Sequence, residues 1–216
     1  MRVADYIMFR IVKLGIKQVF FLPGGGAMHL NDALASNKQL EPVLCLHEQA
    51  CGIAAEGAGK LLGGPSACLV TSGPGATNVL TATLAAWLDS TPVFFISGQV
   101  KTADLKTGTA LRILGVQEVD IISMASPVTK KAITLLNPYD VAYVFDELEI
   151  AALSGALPMR DDIVWTDSNT LGTCRFERVI NVFCVTPLYN SSFLIQLLIF
   201  TCANFFCNAF ESSYRC

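Results

Sequence analysis

Charge is what this sequence has least of. Only 15% of its 216 residues are Asp, Glu, Lys or Arg, against roughly 25% in ordinary soluble domains. The net charge is -3, the isoelectric point lies near 5.3, and no basic run occurs. The electrostatic footprint of a nucleic-acid binder is therefore missing, and no nucleic-acid partner is expected. Histidine is scarce, with two copies, and the eight cysteines form no Cys-x-x-Cys pair and no zinc-finger spacing, which argues against a structural zinc site. There is no uninterrupted apolar leader either. The start, MRVADYIMFRIVKLG, is amphipathic and charged throughout, unlike a signal peptide, so a cytoplasmic chain is expected. What abounds is apolar residue: 52% of the total, with a mean hydropathy of +0.49. That excess calls for a well-buried sheet, a large interface or a membrane segment, in a chain long enough for one sizeable domain with an appendage.

Periodicity divides the chain into two texts. In the first, Val3, Ile7, Ile11 and Leu14 fall on one helical face closed by Gly15. The short apolar strand QVFFL (18–22) runs into Pro23-Gly24-Gly25-Gly26. A helix at about 28–36, strand PVLCL (42–46), an Ala/Gly-rich helix at about 48–62 and strand SACLVT (66–71) follow. After the turn Ser72-Gly73-Pro74-Gly75 come a helix to Leu88, strand PVFFIS (92–97), strand PVTKKA (127–132) and a last helix to Leu153. Short, continuously apolar strands alternating with helices specify an α/β fold: a parallel sheet flanked by helices on both faces. A ligand then belongs in the crevice beyond the carboxyl ends of the strands, where the loops 23–26, 47–49 and 72–75 lie.

The second text starts at about residue 156. Fourteen of the sixteen glycines precede Gly155, no residue from Val179 to Phe210 is charged, and five of the eight cysteines come after residue 170. No β-α rhythm is legible there. The expected organisation is a domain over 1–155 and a divergent tail over 156–216. FLIQLLIFTCANFFCNAF (193–210) approaches the ~20 apolar residues that span a bilayer, though Gln196, Asn204 and Asn208 interrupt it and no basic cluster flanks it. Three readings of the tail stand: an out-of-frame or truncated gene end, which is preferred; a membrane anchor; and a buried or interface helix.

Three loops carry candidate chemistry. His47-Glu48 resembles the opening of a zinc-protease helix, but Cys51 stands where the second histidine would be. Taken alone, Glu48 is a carboxylate at a helix start, worth ~0.3–1 kcal/mol against the helix dipole. TSGPGATN (71–78) has the strand–glycine–helix layout of a phosphate or dinucleotide site. The third glycine of a dinucleotide fingerprint is replaced there by Asn78, and the next strand ends in Ser97-Gly98-Gln99 rather than an acidic residue. FLPGGG (21–26) has glycines that let backbone approach a ligand closely, or simply make a tight turn. Cys45, Cys51 and Cys68 lie in apolar stretches and read as small buried hydrophobes.

Taken together and in order, FLPGG, LHEQ, LVTSGPGATN, WLDSTPVFFISGQV and LGVQEVDIISMASPVTK resemble the N-terminal pyrimidine-binding domain of thiamine-diphosphate enzymes of the acetolactate synthase group, over about residues 1–155. The resemblance implies thiamine diphosphate as cofactor and Glu48 as the catalytic carboxylate. In that family the glutamate at this place hydrogen-bonds N1′ of the aminopyrimidine and shifts the ring to its imino tautomer, whose 4′-nitrogen removes the thiazolium C2 proton. Burial, which raises a carboxyl pKa by up to ~3–5 units when complete, favours such proton sharing, and Leu46, Ala50 and Cys51 are the apolar neighbours that would provide it. By the same resemblance Pro74 and Asn78 line the pyrimidine pocket, Gln117 reaches the reaction centre, and Gly24 and Gly25 face the cofactor across a subunit boundary.

One residue departs from the pattern: Leu22 replaces the tyrosine common in acetolactate synthases, which bears on the reaction rather than the cofactor. Within the group, FLPGGGAMHLNDAL and LGVQEVDI are most similar to acetolactate-synthase-like proteins of bacterial sugar or surface-polysaccharide loci. Family members hold the diphosphate and Mg²⁺ on a second domain with a Gly-Asp-Gly segment. No Gly-Asp dipeptide occurs here, so no Mg²⁺ ligands are expected on this chain; FAD, carried by a middle domain in some relatives, is not expected either. The implied states are a truncated enzyme inert alone, a split enzyme completed by a diphosphate-domain partner, or a non-catalytic binding module. Apolar surface left by a lone domain implies a homo-oligomer or that partner.

Overall fold

A computed structural model describes residues 1–154 and 180–185; the stretch 193–210 and its proposed membrane contact lie outside them. The helices are α1 (Val3–Lys13), α2 (Met28–Ser36), α3 (Glu48–Leu62), α4 (Pro74–Asn78), α5 (Leu80–Leu88), α6 (Ile121–Ala125) and α7 (Val141–Leu153). The strands are β1 (Gln18–Phe21), β2 (Glu41–Leu44), β3 (Ser66–Val70), β4 (Val93–Gly98), β5 (Lys131–Leu135) and β6 (Ile180–Val185), in the spatial order β2-β1-β3-β4-β6-β5. The pairs β1–β2, β1–β3 and β3–β4 are parallel. Among the described residues no helix is long and apolar enough to cross a membrane.

Side-chain alternation along the central strands builds two cores. Ala67, Leu69, Phe94 and Ile96 point to one face, where they meet α1, α2 and α7 through Ile7, Ile11, Leu34, Phe145 and Leu148. Cys68, Val70, Val93 and Phe95 point to the other and meet α3, α5 and α6 through Cys51, Ala55, Ala82, Ala86 and Ile121. A strand buried on both faces carries no polar alternation, which is why Ala67–Val70 of β3 and Val93–Ile96 of β4 read as apolar runs, with serine only at their ends. The Ala/Gly content of α3 has a packing cause. A Cβ on Gly52 would fall 2.5 Å from Cβ of Ala82, and one on Gly59 would fall 2.8 Å from Cγ2 of Thr91, so small residues let α3 seat against α5 and the loop before β4. On the opposite face the buried Arg10 of α1 reaches α7, with Nη2 at 2.7 Å from Asp146 and 2.6 Å from Glu149.

The structure departs from the sequence reading in three places. The helix expected from the Gly-Pro-Gly turn to Leu88 is broken at Val79 into α4 and α5. The strand expected at 127–132 lies at 131–135, because Pro127, which cannot donate to a ladder, sits in a 3-10 turn over 126–128. Most consequential, residues 180–185 form a strand where none was expected, between β4 and β5 and antiparallel to both. The parallel, helix-covered sheet is therefore complemented by one reversed strand. β4 and β5 each need a ladder partner, and the uncharged, β-branched INVFCV can supply one in either direction. Val182, 1% exposed, pairs with Ile96 on one side and Ile133 on the other.

Val182→Asp should therefore destabilise the chain by ~3 kcal/mol or more, the cost of burying an unpaired carboxylate or of giving up the strand. Urea unfolding would report this as a lowered midpoint; an unchanged midpoint would mean that β6 does not occupy this slot in solution.

Candidate functional site

Because β1 to β4 run parallel, the loops that follow them gather at one edge. β1 leads to α2 on one face of the sheet, while its neighbour β3 leads to α4 and α5 on the other. Adjacent strands whose connections diverge in this way leave a crevice between their carboxyl ends. The loop after β1 closes down on the end of β3: the Gly26 N–H donates to Thr71 Oγ1 at 3.0 Å, and Asn31 Nδ2 donates to the Gly24 carbonyl at 3.3 Å. A Cβ on Gly24 would come within 2.4 Å of Thr71 Cβ, and one on Gly26 within 2.3 Å of Ser72 Oγ. Gly25 has no neighbour within 4 Å of its would-be Cβ and lies exposed on the rim.

Glu48 enters this crevice from α3. His47 is extended (φ -156°, ψ 143°) and caps the helix, its Nδ1 accepting the Gln49 N–H at 3.1 Å. The His-Glu pair thus begins a helix, and among the described residues no three His, Cys, Asp or Glu side chains gather as metal ligands. The Glu48 carboxylate lies half-buried over the Gly-Pro-Gly turn. Oε2 accepts from Asn78 Nδ2 at 2.9 Å, while Oε1 lies 3.2 Å from where a Cβ on Gly75 would stand. Pro74, exposed, opens α4 beside it. The replacement of a third glycine by Asn78, a mark against a dinucleotide site in the sequence, provides here the donor that orients the carboxylate.

Gln117 arrives from the long connection after β4. Its backbone is left-handed (φ +60°) and packs on the turn, with its carbonyl oxygen 2.5 Å from a would-be Cβ on Gly73. Glu118 fixes that approach by accepting the N–H groups of Lys106 at 2.7 Å, Leu114 at 3.1 Å and Gly115 at 3.4 Å. Burial pushes the Glu118 carboxyl up, but these backbone donors outweigh it and hold the group below the usual carboxylate range. The same connection borders a cavity of about 470 Å³ lined by Gln99, Lys106, Thr109, Asp120 and Thr134.

The six residues singled out from the sequence lie around one crevice, Gly24, Gly25 and Gln117 on loops, Glu48 and Pro74 at helix starts and Asn78 at the end of α4. Gly24 and Gly25, expected across a subunit boundary, border the crevice that Glu48 of the same chain enters. Two features were missed. Thr71, which touches the β1 loop and the Gly75 turn together, was read only as the end of a strand; its signal was a small hydroxyl between an apolar strand and a glycine turn. The apolar collar expected around Glu48 is only half present: Cys51 is fully buried, but Leu46 is 94% exposed and Ala50 is exposed as well. Ala50 lies on the outward face of α3, and Leu46 lies in the loop that leads into it.

A parallel sheet with a glycine-walled crevice at its switch point, and a carboxylate presented on a helix start, is the layout of a cofactor-binding α/β domain. Residues 1–124 match the model of the family described as "Thiamine pyrophosphate enzyme, N-terminal TPP binding domain", and the chain belongs to that family. It is 35% identical over 164 residues to the acetolactate synthase isozyme 1 large subunit of Escherichia coli K12, covering 76% of this chain and 27% of that protein. To the acetolactate synthase large subunit of Corynebacterium glutamicum it is 37% identical over 152 residues, 70% of this chain and 23% of the other. To the chloroplastic acetolactate synthase of Arabidopsis thaliana it is 34% identical over 152 residues, 70% and 22% respectively. The chain spans about a quarter of the length of the curated relatives it matches.

The glycines give a direct check on the crevice. Gly24→Ala should cost ~1–3 kcal/mol, because the new methyl group overlaps Thr71, whereas Gly25→Ala should stay within ~0.5 kcal/mol of the parent. Equal unfolding midpoints for the two variants would show that the loop does not close on β3 as described.

Proposed function

We propose that this domain grips the aminopyrimidine end of thiamine diphosphate, with Glu48 as the carboxylate that hydrogen-bonds N1′ of the ring. The observation that carries this reading is the pose of Glu48: one oxygen tethered by Asn78, the other poised over Gly75 at the mouth of the switch-point crevice. A carboxyl held in this way is oriented before the ring arrives, and Asn78 leaves it free to share a proton with a weakly basic nitrogen. Gly24, Gly25 and Pro74 wall the ring's space with backbone and a side chain that cannot move far, and Gln117 reaches in from the rim. When bound, the cofactor would supply a nucleophilic carbon for addition to a 2-oxo acid and the electron sink that follows, while the protein supplies orientation and electrostatic tuning.

The diphosphate end calls for Mg²⁺ and a set of oxygen ligands. Without a Gly-Asp-Gly segment in the sequence, we place that half of the site on a separate domain, so this chain by itself holds one end of the cofactor and turns nothing over. Support comes from the outward face of α3. Ala50, Ile53, Gly57 and Leu61 of α3, with Leu46 just before it, are exposed and uncharged, Leu61 at 86%, and the charge on this side is confined to Lys60, paired with Glu56 and Asp89. A surface of this kind marks an interaction site. A partner domain seated there would also complete the collar that Leu46 and Ala50 leave open.

In an assembly of this domain with a diphosphate-domain partner, Glu48→Gln should reduce exchange of the cofactor's C2 proton, followed by NMR, to the rate of free cofactor. Exchange at the parental rate would remove Glu48 from the role given to it. The full chain alone should self-associate through the uncharged face in sedimentation velocity, and a monomer at every concentration would contradict that assignment of the face.

A further inference from the structure

Residues 106–116 have no core of their own. Leu111, Ile113, Leu114 and Val116 are exposed, Val116 at 86%, and within the segment only Gly115 is buried. Lys106 to Leu111 form one wall of the cavity of about 470 Å³, so on that side the segment lies over open space. Internal bonds close it into a unit. The Lys106 carbonyl accepts the Thr109 N–H at 2.9 Å and the Thr109 hydroxyl at 2.7 Å, and Lys106 Nζ donates to the Arg112 carbonyl at 3.2 Å. Among the described residues, every hydrogen bond that leaves the segment runs to Glu118. Its carboxylate accepts the N–H groups of Lys106, Leu114 and Gly115, and its own N–H donates to the Gly115 carbonyl at 3.2 Å.

Glu118 is also the chain neighbour of Gln117, whose backbone is left-handed at φ +60°. A residue with a Cβ keeps that conformation only where its surroundings impose it, and here they do so from both sides. Before Gln117, Gly115 is pinned by Glu118 and seated on Val100, whose Cγ1 lies 2.7 Å from a would-be Cβ. After it, the Val119 carbonyl accepts from the buried Gln99 Nε2 at 2.7 Å. We propose that 106–116 is a flap latched by the Glu118 carboxylate, and that the latch makes Glu118 a positioning residue: when the flap opens, Gln117 leaves its place at the crevice. Three N–H groups converge on the two carboxylate oxygens, Lys106 on Oε1, Leu114 and Gly115 on Oε2. An amide cannot reproduce this, because one of its two ends donates. Burial pushes the carboxyl up, but the three donors hold it below its usual range, so the latch is charged at neutral pH. That charge strengthens each bond.

The latch is independent of the cofactor; only the part Gln117 plays in a reaction rests on the function proposed for the crevice. Limited trypsin digestion of the full chain reads the flap directly, because Lys106 and Arg112 lie within it. Lys38, between α2 and β2, serves as an internal reference. Glu118→Gln should speed cleavage after Lys106 and Arg112 by about tenfold or more, the effect of losing hydrogen bonds to a charged group, with the rate after Lys38 unchanged. Glu118→Asp, which keeps the charge on a shorter arm, should fall between. Unchanged rates in the flap would overturn the proposal. So would an equal rise after Lys38, which would mean that Glu118 supports the fold as a whole. In an assembly with a diphosphate-domain partner turning over a 2-oxo acid, Glu118→Gln should lower kcat severalfold in the parent and add no loss in Gln117→Ala. A further loss there would show that Glu118 does not act through Gln117. If Gln117→Ala alone left kcat unchanged, Gln117 would have no part in the reaction, and the tryptic result would stand regardless.

Discussion

The crevice rests on one close approach: the backbone of the loop after β1 lies against Thr71 and Ser72 at the end of β3, with no room for a methyl group at positions 24 or 26. This contact joins two strands whose helices leave for opposite faces, and so it defines the floor of the switch-point crevice. Thr71 meets Gly24 and Gly26 on one side and Gly75 on the other. The Gly-Pro-Gly turn is thereby placed under Glu48, and Asn78, one turn of helix further on, comes within reach of the carboxylate. A larger residue at 24 or 26 would push the loop outward and open the floor before any charged group was disturbed.

Most of the architecture could be read from the sequence because its determinants are local. The runs ACLV (67–70) and VFFI (93–96) are apolar at every position, as only a doubly covered strand needs to be. Gly15 and Gly63, both at positive φ, follow α1 and α3 where a helix ends left-handed. Glu48 to Leu62 came out as expected because its start signal, a capping His47 before an acidic first turn, and its stop at Gly63 are encoded within the helix and its flanks. Non-local determinants were invisible. Strand β6 exists because β4 and β5 leave a gap between them, and nothing in INVFCV declares that gap. Thr71 matters through contacts with residues that are distant in sequence. Whether an apolar residue beside Glu48 faces inward or outward depends on how α3 rolls over β1 and β3, and so Cys51 is buried while Leu46 is bare.

The exposure of Leu46 and Ala50 leaves Glu48 open on its outer side. In the proposed function Glu48 shares a proton with a heterocycle, which low dielectric on all sides favours. Here the sheet side is dry, through Cys51 and the core behind it, and the outer side is open. The uncharged stripe on α3 runs from that opening along the whole helix. A single apposing surface would bury the stripe and close the collar together, coupling assembly of the domain with activation of Glu48. On the opposite side α1 and α7 carry ion pairs around Arg10, whereas near the end of α3 charge is gathered at Lys60, paired with Glu56 and Asp89.

The antiparallel β6 bears on that coupling from the other end of the sheet. It adds a ladder partner to β4, and β4 ends at Gly98, whose would-be Cβ lies 2.2 Å from the Gly26 carbonyl. Position 26 is thus held between Thr71, just after β3, and Gly98 of β4, and β4 has β6 as its outer neighbour. Strand pairing contributed from beyond residue 155 therefore props the same loop that floors the crevice. In energetic terms the site is not a feature of residues 1–155 alone: an edge strand left at β4 would be free to twist away from β3, and the contact at Gly26 would be the first to loosen.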